Sequence, residues 1–251
     1  MITHEIIGDD MQAVVMTLGQ GDEVRAEAGA MTYMTAGIDM DARLQGGLLG
    51  GLTRKFLAGE SLFLTWFRCT APAGKVGFSA PYPGKIIRMP LQASAMLCQR
   101  GSFLCAAGEI NITVEFTKKL GAGFFGGEGF ILERFEGSGE LFVHSGGTLV
   151  SFELKQGETL KVDTGCLVAF DPSVDYDIEM VGGGIKTALF GGEGLFLASM
   201  TGPGRVWVQT LPFSRLADRV MSAFHGSKEE VRRSDLGGAL GTIGDLISGD
   251  R

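Results

Sequence analysis

The chain has 251 residues, 45% of them apolar, with a formal charge of -7 and three histidines. It is long enough to bury a sizeable core, and its acidic balance offers no basic field to hold a phosphodiester backbone or an anionic lipid surface. Glycine, at 40 residues without a G-x-y period, is about twice its usual ~7% share and points to tight turns between short strands rather than to collagen.

The N-terminal stretch carries Glu5, Asp9 and Asp10, unlike the basic, acid-poor start of a mitochondrial presequence. The first turn signal is Leu18-Gly-Gln-Gly21-Asp-Glu-Val24, followed by an acidic-x-glycine turn at Glu27-Ala-Gly29. The same plan returns at Leu97-Cys-Gln-Arg-Gly101 with Gly108, and again at Leu154-Lys-Gln-Gly157-Glu-Thr-Leu160 with Asp163-Thr-Gly165. Each unit also ends on a glycine-glutamate turn: Gly59-Glu60-Ser61, Phe125-Gly-Gly-Glu128-Gly129 and Phe190-Gly-Gly-Glu193-Gly194. A plan recurring at such separations marks a repeated module rather than a solenoid. The expected modules span about 1–90, 91–147 and 148–210, a β-rich body of residues 1–210.

In the third module, period-two alternation predicts strands at Thr148–Leu154, Thr159–Val162, Cys166–Phe170, Tyr176–Met180, Lys186–Phe190, Leu195–Met200 and Arg205–Gln209. Short strands at regular spacing with glycine turns read as β-sandwich or barrel-like architecture. The predicted fold class is therefore mainly β, made of tandem sandwich- or barrel-like modules in three pseudo-repeats. Beyond them Phe213, Leu216, Val220 and Phe224 recur at helical spacing, which predicts a C-terminal amphipathic helix within residues 211–251, followed by a flexible tail. The apolar stripe of that helix offers a surface for a protein partner.

Several apparent motifs dissolve on inspection. Gln45 to Arg54 is glycine-rich but lacks the G-K-[ST] ending that reaches phosphate and magnesium. Asp171, Asp175 and Asp177 surround Pro172 without the length or distal glutamate of a calcium loop. His144-Ser145 has no G-x-S-x-G elbow. Cys69, Cys98, Cys105 and Cys166 form no CxxC, and with His4, His144 and His225 they show no metal-ligand spacing. They read as reduced, buried thiols of an intracellular protein. No metal, no cofactor, no nucleic acid and no catalytic residue is expected, and the expected compartment is the cytoplasm, with membrane association not favoured.

The glycine-glutamate turns pose the one real choice. A site carved for chemistry need not occur three times, whereas a turn required by the fold should, so repetition favours geometry over catalysis. In the functional reading Glu60, Glu128 and Glu193 converge with Phe125 and Phe190 on a ligand site between modules. Three carboxylates brought together repel unless paired. The expectation is a non-enzymatic, oligomeric scaffold or interaction module, with a small-molecule binding protein as the alternative.

The sequence Gly29-Ala-Met31, the glycine-rich segment ending in Arg54, the Gly59-Glu60-Ser61-Leu62-Phe63 turn and the two later FGGEG copies resemble a widespread family once catalogued as a domain of unknown function. That family includes a mitochondrial inner-membrane protein named for altered mitochondrial inheritance. The resemblance covers about residues 1–215. It implies tandem copies of a fold like that of the tryptophan RNA-binding attenuation protein, assembled into a homo-oligomer, a trimer, with a scaffold role and no enzyme activity.

Overall fold

The computed structural model describes residues 2–44, 63–116, 130–180 and 196–223. The chain is mainly β, as the alternation and glycine punctuation predict. The first seven strands are β1 (Thr3–Ile7), β2 (Ala13–Gly19), β3 (Glu23–Glu27), β4 (Met31–Met34), β5 (Ile38–Leu44), β6 (Phe63–Cys69) and β7 (Ala73–Ser79). Three long strands follow: β8 (Gly84–Gln99), β9 (Phe103–Phe116) and β10 (Ile131–Gly146). The last six are β11 (Leu149–Leu154), β12 (Thr159–Asp163), β13 (Leu167–Phe170), β14 (Asp175–Met180), β15 (Phe196–Thr201) and β16 (Gly204–Gln209). Within residues 148–210 each described strand falls within a residue of its predicted bounds at either end. The predicted strand at 186–190 lies outside the described residues.

The strands form three sheets in the orders β1-β2-β7-β4, β11-β16-β13-β8-β10-β9-β3-β6-β5 and β12-β15-β14. None of these described orders closes into a barrel. The first and last portions of the chain pair alike: β2-β7-β4 and β3-β6-β5 on one side, β11-β16-β13 and β12-β15-β14 on the other. Between them, β10 is hydrogen-bonded along its length to β8 on one edge and β9 on the other. That triple strand merges what would be separate sheets into one of nine strands.

Alternation decides which side chains enter the core. On β2, Val14, Met16 and Leu18 point inward, and with Val24, Ala26, Phe67, Phe78 and Phe142 they fill the space between the four-stranded sheet and one part of the long one. A second cluster, including Leu64, Met96, Phe103, Phe135 and Trp207, lies on the other face of the long sheet. A third, with Leu132, Phe170, Met200 and Val206, sits under the three-stranded sheet. Each fully buried phenylalanine contributes about 1.5–3 kcal/mol of transfer free energy.

The repeated corners share one backbone conformation. Gly21, Gly101 and Gly157 have φ of 85°, 86° and 76°, and at each corner the following residue donates its amide three residues back, to Gly19 O, Gln99 O and Lys155 O, all at 3.0 Å. A Cβ on any of these glycines would meet nothing within 4 Å. The residue is therefore dictated by the left-handed φ, not by space. In two corners a carboxylate closes the turn, with Asp22 accepting from Gly19 N and Glu158 from Lys155 N, each at 2.9 Å.

One buried amide fastens the end of β10 to β16 and the turn before β13. Gln209, 8% exposed, accepts from Gly146 N at 2.7 Å and donates to Gly165 O at 3.0 Å. Gln209→Leu leaves an amide and a carbonyl without their partner, and each orphan costs about 1–3 kcal/mol. The expected loss is about 2–4 kcal/mol, read as a lowered urea midpoint with an unchanged m-value.

Residues 213–223 are helical, as the three- and four-residue spacing predicts, and Phe213, Val220 and Met221 on that helix are exposed. The chain divides by its contacts into Met1–Pro212 and Phe213–Arg251. No helix among the described residues is long and apolar enough to cross a membrane.

Candidate functional site

The residues singled out in the glycine-glutamate turns, Glu60, Phe125, Glu128, Phe190 and Glu193, lie outside the described residues, as do the loop from Gln45 to Arg54 and Phe224. Two other places in the body stand out, one for concavity and charge and the other for a buried acid.

The first is an open groove of about 660 Å³ where β3 and β6 meet β9 and β10. Cross-strand register places Arg25 opposite Trp66 and Ala106, so the guanidinium lies over the bend of β9 at Gly108. It is held there: Arg25 Nη2 donates to Ile110 O and, at 3.3 Å, to Gly108 O. Asp22, Glu23, Glu109 and Glu136 also line the groove. One cation already bonded to backbone carbonyls faces four carboxylates, a balance that suits a cationic guest. Trp66 presents an aromatic surface, over which the chain's own Arg43 guanidinium sits 5.2 Å from the ring centroid. Among the described residues neither a cysteine, a serine nor a histidine lines this groove.

The second place is polar and buried. Glu133 on β10 is 2% exposed, sits opposite Cys98 on β8 and Val114 on β9, and its Oε2 has no hydrogen-bond partner among the described residues. Burial, reinforced by the negative charge of Glu27 and opposed by Arg100, pushes its carboxyl up to about 8. Glu27 on β3 is raised too, by burial against the same Arg100. Burial and then Glu133 raise the Cys98 thiol well above its ordinary value, so Cys98 is an inert, protonated neighbour rather than a nucleophile. Cys69, Cys98 and Cys105 are buried free thiols, and Cys166 is half-buried.

His144 and Ser145 do not form a catalytic pair. They are consecutive in β10, so their side chains leave opposite faces of the sheet. Both are buried, with Ser145 Oγ directed at Lys85 O at 3.4 Å. The His144 ring packs edge-on against Tyr82 at 4.7 Å. Burial lowers its pKa to about 4, against the raising effect of a hydrogen bond with the Tyr82 backbone, and Nδ1 has no hydrogen-bond partner. Asp171 is likewise committed, accepting from Arg205 N at 2.9 Å and from its guanidinium at 3.1 Å. No cluster of three or more metal-ligating side chains occurs among the described residues.

Sequence reading missed Glu133, Arg100 and Trp66. A signal existed for Glu133: it lies two residues before Phe135 in a strand, so it must share that residue's core face. The apolar residues on both sides of Leu132-Glu133-Arg134-Phe135 hide the parity.

Comparison with known proteins bears on the whole body. The family described as mitochondrial biogenesis AIM24 matches residues 4–211. An uncharacterized protein of Streptococcus pyogenes serotype M6 is 28% identical over 212 residues, covering 81% of this chain and 83% of its own length. The X-ray crystal structure of a Streptococcus pyogenes protein superposes with a TM-score of 0.73 at 25% identity, covering 89% of this chain and all of that one.

Proposed function

Because the chain belongs to the mitochondrial biogenesis AIM24 family, we propose that it acts, like the scaffold its sequence resembles, as a non-enzymatic homo-oligomeric β-protein that presents surfaces to partners. The observation that carries this reading is the pair of open ends on the nine-stranded sheet. Among the described residues β5 pairs only with β6 and β11 only with β16. Met40 on β5 is 54% exposed, and Val150 and Phe152 on β11 are 37% each. An open edge with apolar side chains is a template for another strand. Two different ends on one sheet favour head-to-tail association, which closes into a ring when the rotation allows. In this reading the ring closes at three copies, and the matched corners reflect three descendants of one ancestral unit with a fold like that of the tryptophan RNA-binding attenuation protein. The exposed apolar residues of the C-terminal helix supply a further surface, and the buried free thiols of Cys69, Cys98 and Cys105 fit a reducing compartment such as the cytoplasm.

Size-exclusion chromatography with light scattering tests the assembly. The wild type is expected to elute as a multiple of one chain at micromolar concentration, and Val150→Asp with Phe152→Asp is expected to give a folded monomer. A monomeric wild type overturns the proposal. The groove at Arg25 and Trp66 favours a second reading, a binding protein for a small cationic ligand. A reproducible mass excess in native mass spectrometry of gently purified protein supports that reading, provided Trp66→Ala abolishes it.

A further inference from the structure

Glu133 is the most unusual side chain in the body. A carboxyl group at 2% exposure with one oxygen lacking any hydrogen-bond partner is tolerated only while it is neutral, because an ionised carboxylate in an apolar interior must be paired. The groups that face it are countable. From β8 comes the Cys98 thiol, directly opposite, and from β9 the apolar Val114. From β3 comes the carboxylate of Glu27, and from the corner between β8 and β9 the guanidinium of Arg100. Tyr82, just before β8, is itself raised by burial and then by Glu27, and does not act on Glu133. Arg100 is exposed and is shared between the two carboxylates, so it cannot neutralise both.

The location gives this arrangement leverage. Glu133 lies in the half of β10 that pairs with residues 94–99 of β8 and 110–116 of β9, the seam through which the long sheet is continuous from β13 to β3. The strand bends just beyond, where the register shifts between Gly137 and Gly139. A charge appearing at Glu133 therefore meets a strand segment bounded on one side by a bend and on the other by the strand's own end.

We propose that Glu133, faced by Glu27 and flanked by Arg100, is a proton-held latch: protonated, it keeps the first half of β10 closed against β8 and β9, and ionised, it releases that seam. In the open seam water reaches the carboxyl group, which then ionises at its ordinary value near 4.5, whereas in the closed seam it holds its proton up to about 8. Opening therefore becomes more favourable by up to tenfold for each pH unit between those limits and levels off above the upper one. The sign is fixed by which state binds the proton more tightly, and here it is the closed one.

Hydrogen exchange of the full-length protein read by mass spectrometry, corrected for the intrinsic base catalysis of exchange, tests this directly. Between pH 6 and 8 protection in residues 94–99 and 131–137 is expected to fall by up to a hundredfold, then level off, while residues of β12, β14 and β15 hold theirs. In Glu133→Gln the fall disappears. Two substitutions at less buried positions discriminate further: Glu27→Gln removes a like charge and moves the levelling-off point to lower pH, whereas Arg100→Gln removes the opposing charge and moves it higher. A purely structural role for these side chains would change protection without shifting the levelling-off point in opposite directions. Uniform loss of protection across all strands, an unchanged pH profile in Glu133→Gln, or shifts of the same sign in the two other variants would each overturn the latch.

Discussion

Gly137→Ala is expected to be among the most damaging single substitutions in the body, lowering stability by about 3–5 kcal/mol and in some conditions preventing folding. Gly137 has φ of 136°, a region where a Cβ is sterically penalised by about 1–3 kcal/mol. A Cβ there would also stand 2.1 Å from Glu109 O, a backbone atom of the neighbouring strand. Neither partner can yield cheaply, because β10 is bonded to β8 and β9 on its two edges at this point. Relief of the clash requires moving three strands. The contrast is Gly21→Ala, where φ is 85° but the Cβ meets nothing within 4 Å. Only the conformational term applies there, and the expected loss is about 1–2 kcal/mol. Urea unfolding of both variants checks the difference, and a Gly137→Ala loss no larger than that of Gly21→Ala would show that the bend has room to relax. Against a typical total of about 5–15 kcal/mol, the expected loss removes a large share of the stability.

The same bend marks the boundary of what the sequence discloses. Within residues 148–210, β11, β12 and β16 stand where the alternation of the sequence places them. The corners were legible because Gly21, Gly101 and Gly157 answer to local dihedral need, which short-range sequence carries. The joining of strands into one nine-stranded sheet was not. Pairing of β3 with β9, and of β8 with β13, joins residues far apart in the chain, and nothing in the local pattern specifies it. Strand β10 is buried on both faces over much of its length, so Leu132, Glu133 and Phe135 read as one mixed stretch rather than as two alternating sets. Glu133 was hidden for that reason. The carboxylates that were singled out, Glu60, Glu128 and Glu193, attracted notice through repetition, a criterion that finds turns more readily than it finds a single buried acid.

The stability of the protein as a function of pH should show two limbs with separate molecular origins. Glu133 has its pKa raised on folding, from the ordinary 4.5 to about 8. The folded state therefore binds the proton more tightly, and its contribution is fully present below pH 4.5 and lost as pH rises to 8. His144 has its pKa lowered, from 6.5 to about 4, so the folded state binds its proton less tightly. That contribution is present above pH 6.5 and lost as pH falls to 4. Each group alone gives a slope of about 1.4 kcal/mol per pH unit. Between 4.5 and 6.5 the two slopes oppose and cancel. From 6.5 to 8 only the first remains, and about 2 kcal/mol should be lost. For a body of this size that corresponds to a fall in Tm of about 4–8 °C. Glu133→Gln should remove most of the alkaline limb and, by unmasking His144, make stability climb from pH 4.5 to 6.5. His144→Gln should do the reverse, leaving a continuous decline from pH 4.5 to 8. Thermal unfolding of the three proteins across pH 4–9 reads both limbs, and a wild-type Tm that is flat from 6.5 to 8 would mean that Glu133 finds a counter-charge or water that lets it ionise within the fold.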